Sequence, residues 1–150
     1  MTIRQEANAR TRLHTGHPTQ RILSKGHDYI ALRGEELVAD LLALERDRKL
    51  RPAGDKGIDF LTPIGSIDVK TSRGRGLLVE EGHARADIYI LVYYYDAQDE
   101  VALQGWATRD EVLRVEPRDT GRGVINHYLP VARLRKMREL HALLEARRAA

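Results

Sequence analysis

The sequence predicts an α/β domain in which a mixed β-sheet, containing an antiparallel hairpin or meander, is flanked by α-helices. Three observations predict it. Leu37, Val38, Leu41, Leu42 and Leu44 recur at helical spacing before any strand signal. Two short apolar runs then flank Pro63-Ile64-Gly65, the pattern of a hairpin. Finally, Ala86–Tyr95 is β-branched and aromatic almost throughout, as a strand covered on both faces requires.

Taken in order, residues 1–20 have weak periodicity and read as a short helix and loop or as a mobile basic arm. His14 and His17 lie three apart but lack a second ligand pair at zinc-like spacing, so an exposed loop is expected. Tyr29–Lys49 is the clearest helix, with Asp28 or Ser24 as its cap. Gly34 inside it costs about 1 kcal/mol against Ala, unless a close approach or a helix break requires it. Glu35 stacks with Val38 and Leu42 and looks inward. Glu36 stacks with Ala39 and Asp40, towards solvent.

Leu50–Lys56 reads as a loop, and the hairpin follows. Along its second strand Asp68, Lys70 and Ser72 leave one face, and Ile67, Val69 and Thr71 the other. Two registers are open. If Pro63 and Ile64 form the whole loop, Thr62 pairs with Gly65 and Asp59 falls opposite Asp68. Like charges directly opposite destabilise a sheet, and a hard divalent cation would offset them. A type I turn with a Gly bulge instead pairs Asp59 with Val69.

Arg73-Gly74-Arg75-Gly76 is a basic turn whose amides and guanidinium groups suit phosphate. Lys25 and Arg33 are expected to join Arg73 and Arg75 as contacts to a polyanion. Leu77–Arg85 is a short strand and turn or a loop. Ala86–Tyr95 is the central strand, Asp96–Asp99 a turn and Val101–Ala107 another strand. Thr108-Arg109-Asp110-Glu111 is a capping box opening a helix through Leu113. Gly121–Gly123 is a loop and Asn126–Leu129 is extended. Pro130 opens a helix to Arg148, with Val131, Leu134, Met137, His141 and Leu144 on one face, His141 as a core histidine.

The 150 residues suit a single domain with its core over about 27–148. Apolar residues make up 42% and charged residues 31%, ordinary values for a water-soluble fold, and no apolar run is long enough to span a bilayer. With a polar N-terminus and no cysteine, a cytoplasmic location is expected, and disulfides and thiolate chemistry are excluded. The net charge of +3 is uneven. Basic residues outnumber acidic ones five to two over residues 1–30 and six to two over 131–150, which leaves the middle acidic. Basic ends around an acidic centre suit a polyanion held by the ends and a metal held in the middle, although charge alone favours two solvated helix faces. There is no Gly-x-Ser-x-Gly elbow and no phosphate-binding Gly-x-x-x-x-Gly-Lys loop, so serine-hydrolase chemistry and a nucleotide cofactor are not expected.

Glu35 on its helix, Gly57-Ile58-Asp59, and Asp68-Val69-Lys70 followed by Thr71-Ser72 form an ordered set. Over about residues 29–107 this set resembles the PD-(D/E)XK nuclease superfamily, the restriction-endonuclease-like fold shared by archaeal-type Holliday-junction resolvases. Two departures stand out: Ile58 replaces the name-giving Pro, and the helix expected after the third strand is short or displaced. The resemblance implies a core of helix, three-stranded antiparallel meander, helix and strand. It implies Mg²⁺, with Mn²⁺ as a substitute, on Asp59, Asp68 and the Val69 carbonyl, with Glu35 joining directly or through water. Lys70 would orient or deprotonate the attacking water, and Ser72 would support it or touch substrate. The implied activity is endonucleolytic hydrolysis of DNA, structure-directed at junctions or branches because the chain is small, by a homodimer whose interface candidates are the long apolar strand and the C-terminal helix. Restriction, nicking or exonuclease activity and a non-catalytic DNA-binding module are the alternatives. RNA stays open as a substrate, although the aromatic residues, mostly in one strand, do not form a base-stacking platform.

Overall fold

The structure, a computed structural model, describes residues 2–7, 26–45 and 57–150. Lys25, Ser24, the His14/His17 pair, most of the expected basic arm and the Leu50–Lys56 loop (but not Gly57) lie outside the described residues. A short helix α1 (residues 3–7) is capped by Thr2, whose hydroxyl accepts the Gln5 N–H at 3.1 Å. Helix α2 follows over His27–Leu42. It opens on Gly26 in the left-handed region rather than on a side-chain cap, and it ends at Ala43, short of Lys49.

Two sheets come next. The first has strand order β1-β2-β4-β5, from β1 (Phe60–Thr62), β2 (Gly65–Ser72), β4 (Ile88–Tyr95) and β5 (Glu100–Thr108). The second has order β3-β7-β6, from β3 (Leu77–Glu80), β6 (Arg118–Asp119) and β7 (Ile125–Leu129). Within the first sheet β1 and β2 are antiparallel, β2 and β4 parallel, and β4 and β5 antiparallel. The sheet is therefore mixed, and helices flank it. The hairpin forms, in the two-residue register: Thr62 pairs with Gly65 and Phe60 with Ile67. The three-stranded meander does not. After β2 the chain crosses β7 at Gly76, where an added Cβ would overlap the Leu129 carbonyl. The next strand pairs there instead, and the crossover is long enough to bring β4 back parallel to β2.

Strand β4 is the wall between two cores. Ile88, Ile90 and Val92 pack with Ile67 and Val69 of β2, Val38 and Leu42 of α2, Trp106, Leu140 and Leu144. Tyr89 and Leu91, on the other face, pack with Leu77, Val79, Ala107, Val112 and Leu129. Flanked by strands and covered on both faces, β4 is not available as a dimer interface. The Thr108 capping box forms as expected and opens α3 (Arg109–Leu113).

The last helix corrects the expectation. Residues Val131–Arg133 form a single 3₁₀ turn, Arg135 bridges to Trp106, and α4 runs over Met137–Ala149. Its buried residues are Leu140 and Leu144, and His141 is exposed. The cause is Trp106: its indole N–H donates to the Lys136 carbonyl at 3.0 Å, and its backbone exchanges two bonds with Arg135. Gly105 permits that approach, since a Cβ there would meet the Arg135 carbonyl and Leu134.

Candidate active site

The site is built where β1 stops short of β2. Strand β1 begins only at Phe60, so Asp59, one residue upstream, stays out of the ladder. Asp59 replaces the missing strand with its own groups. Its N–H donates to the Ile67 carbonyl at 2.8 Å, and its Oδ2 accepts the Val69 N–H at 2.7 Å. The carboxylate thus sits in the plane of the sheet, at the edge of β2. Beside Val69, Asp68 leaves towards the second sheet and is 5% exposed. Lys70, two residues on and on the same face, places Nζ 2.8 Å from Asp68 Oδ2. Gly57, with φ +76, lies so near that a Cβ there would be 3.8 Å from Asp68 Oδ2.

Tyr89 pairs with Asp68 across the parallel register and forms the inner wall. Its hydroxyl accepts the Ala86 N–H at 3.1 Å. Burial pushes the Tyr89 phenol above its ordinary range. The Asp68 carboxylate adds to that shift, and the Ala86 N–H and the Lys70 ammonium oppose it, so the phenol stays neutral beside the charged pair. Nothing in the sequence read alone marked Tyr89; the β2–β4 register was the missing information.

Glu35 is buried on α2 at 6% exposure, looking inward as expected. Its helix packs on the Ile67 and Val69 face, whereas Asp68 and Lys70 leave by the other, and Asp59 lies at the boundary. Gly34 is the point of closest approach, because a Cβ there would overlap Thr71 Oγ1. Among the described residues no three His, Cys, Asp or Glu side chains form a group that could hold a metal ion. The donors gathered at the β1 end are the Asp59 and Asp68 carboxylates and, on the same strand edge as its N–H, the Val69 carbonyl. Oxygen donors of this kind fit Mg²⁺, which is commonly bound through one or two carboxylates while keeping several waters.

A cleft of about 630 Å³ opens along the unpaired edge of β2. Its lining includes His27, Lys70, Arg73, Arg75, Arg122 and Asn126 and, among the described residues, no Asp or Glu. The basic turn expected at Arg73–Gly76 thus reaches the site. Ser72 serves that turn rather than Lys70: its hydroxyl accepts the Arg75 N–H at 2.9 Å. Arg73 reaches the cleft while its Nε lies 2.8 Å from Asp96. Arg33 points elsewhere. Its guanidinium donates to Tyr29 Oη, Asp99 Oδ1 and the Asp99 carbonyl, tying α2 to the β4–β5 turn. Arg122, unremarked in the sequence, comes from the β6–β7 turn. Its one signal was the Gly121-Arg122-Gly123 spacing, which echoes Arg73-Gly74-Arg75-Gly76.

No known protein family, curated protein or solved structure matches this chain. Fold and site define it as a mixed α/β protein that carries an acid–acid–lysine cluster at a strand end beside a basic cleft. Among the described residues, no helix is long and apolar enough to cross a membrane.

Proposed function

We propose that the chain is a Mg²⁺-dependent nuclease of the PD-(D/E)XK type, hydrolysing DNA phosphodiester bonds in a structure-directed way at junctions or branches. One observation carries the reading: Asp59, Asp68 and Lys70 converge around Val69 where β1 ends and the basic cleft begins. Asp59, Asp68 and the Val69 carbonyl would hold the ion. When bound, it would supply charge neutralisation and activation of water. Lys70 orients the attacking water and donates to the charge that develops on the phosphate oxygens. The Asp68 carboxylate fixes Lys70 for that role. Arg73, at the cleft, meets a flanking phosphate, and Tyr89 keeps the inner wall neutral. Glu35, on the helix-covered face of the sheet, would join the ion from the Asp59 boundary, directly or through water.

The cleft itself favours a second reading, a DNA-binding module on the same scaffold. Among the described residues its lining is basic and has no carboxylate, which suits phosphate without a metal.

The test is cleavage of a labelled panel: four-way junction, flap, nicked duplex, linear duplex and single strand. Each is incubated with Mg²⁺, Mn²⁺ or EDTA. Asp68→Asn and Lys70→Met should each lower the rate by about 10²–10³-fold, the effect of deleting one preorganised charge. No metal-dependent cutting by the wild type would leave the binding-module reading. Cutting that survives both substitutions would remove the site from the chemistry.

A further inference from the structure

The β6–β7 turn presents one side chain that the fold does not use. Arg122 stands at its tip with φ 58, in the left-handed region, between Gly121 and Gly123, which also have positive φ. Glycine would occupy that backbone without strain, yet an arginine is there. The side chain is exposed, lines the cleft and, among the described residues, has no hydrogen-bond or ion-pair partner. Below the tip the turn is tightly braced. The Thr120 N–H donates to the Val124 carbonyl at 3.1 Å, the Val124 N–H to the Gly121 carbonyl at 3.2 Å, and the Gly121 N–H to Asp119 Oδ1 at 2.8 Å. Asn126 Nδ2 donates to Thr120 Oγ1 at 2.7 Å.

The brace extends to the other wall of the cleft. Arg75 donates from Nη2 to the Thr120 carbonyl at 3.0 Å, across 45 residues of sequence. Its backbone is set by Ser72. One arginine therefore holds the turn, and the next one out stands over the cleft with no partner among the described residues. A strand of DNA laid along the β2 edge towards Lys70 would bring a phosphate to that position, and charge-assisted bonds from guanidinium to phosphate are the strongest the cleft can offer.

We propose that Arg122 is a phosphate clamp for the DNA strand in the cleft, and that Arg75 is the positioning residue that holds the clamp in place. The inference rests on the nucleic-acid reading of the site, but its test does not need cleavage.

Binding of a short fluorescein-labelled duplex is measured by anisotropy in EDTA, between about 50 and 200 mM salt. Arg122→Gly removes the side chain where glycine suits the backbone, so the fold stays intact. It should weaken binding about tenfold at the low-salt end and reduce the slope of log K against log salt by about one. Arg122→Lys should keep the slope. Arg75→Ala should reproduce the loss alone and add almost nothing to Arg122→Gly, because it acts through the same contact. An unchanged slope in Arg122→Gly overturns the clamp. Losses that add in the double variant overturn the strut and make Arg75 a phosphate contact in its own right. If the wild type cuts no DNA but Arg122→Gly loses slope, the nuclease reading fails and the clamp stands. If it cuts and the slope holds, the reverse follows.

Discussion

At Gly34 two local rules point in opposite directions. Helix propensity favours alanine by about 1 kcal/mol, whereas a Cβ at this position would overlap Thr71 Oγ1. Overpacking of a closely fitted contact typically costs about 1–3 kcal/mol, so Gly34→Ala is expected to destabilise the protein. Thr71→Ala in the same chain should recover most of that loss, since its buried Oγ1 has no partner among the described residues and little is given up. A higher melting temperature for Gly34→Ala alone would show that the contact yields. The need for a close approach was legible in the sequence, because an interior helix glycine demands a reason. Arg122 was not, because its meaning depends on which two turns meet. Tyr94 was likewise read only as part of a strand, yet its hydroxyl donates to Asp99 Oδ1 at 2.6 Å. That hydrogen bond, helped by burial, raises the phenol to about 12, and it holds the Asp99 carboxyl below its usual range. The neutral phenol is the form the fold favours. Its contribution to stability is whole below the ordinary tyrosine value of 10.0 and is lost as pH rises through about 12. The Asp99 contribution is present above the ordinary carboxylate range and is lost as pH falls through its depressed value. Ultraviolet titration should find Tyr94 late, alongside Tyr89 and Tyr93, whose phenols burial raises, and Asp99→Asn should move Tyr94 alone down towards 10.0. An unchanged titration curve in Asp99→Asn would remove this cause.

At the scale of elements, the hairpin end combines structural and chemical work in one side chain. Asp59 replaces a strand residue by accepting the Val69 N–H, and it is also one of the two carboxylates proposed for the ion. Asp59→Asn keeps an acceptor oxygen and loses the charge; Asp59→Ala loses both. The alanine variant should lose about 1–3 kcal/mol in denaturant unfolding, the cost of leaving a part-buried N–H unpaired. The asparagine variant should stay near wild type in stability while losing Mn²⁺ binding measured by calorimetry. Equal stability losses in both would mean that the charge, not the acceptor, holds the edge. Elements fixed by neighbours in sequence were legible: the α3 capping box, the β1–β2 turn, and the apolar run of β4. Elements fixed by distant partners were not. The Pro130 start signal is genuine but yields only the turn at Val131–Arg133, because Trp106 captures Arg135 and Lys136 and delays α4 to Met137. The meander failed for a similar reason: β3 finds β7, some 50 residues away, before it can find β2.

At the scale of the molecule, the two walls of the cleft belong to different sheets, and a shared strand must keep them in register. Lys70 stands on β2 of the first sheet, and Arg122 on the β6–β7 turn of the second. Strand β4 sends alternate residues into both cores along its length, with Ile90 in one and Leu91 in the other, and β5 joins it at one end with Trp106 and Ala107. Ile90 and Leu91 are both fully buried, so truncating either to alanine should cost about 2–5 kcal/mol. If β4 couples the cores, either loss must lower a single transition. Trp106, the one tryptophan, packs in the first core and reports on it by fluorescence, whereas far-ultraviolet circular dichroism reports on both sheets. For Ile90→Ala and for Leu91→Ala the two signals should melt together, at the same lowered temperature. If Leu91→Ala shifted the dichroism and left the Trp106 transition in place, the second sheet would unfold alone. The clamp wall could then open while the β2 wall stayed folded, and DNA affinity would fall with temperature before metal affinity does. Coincident melting instead makes the cleft a single rigid object, in which Arg122 and Lys70 keep the separation that a phosphate strand has to span.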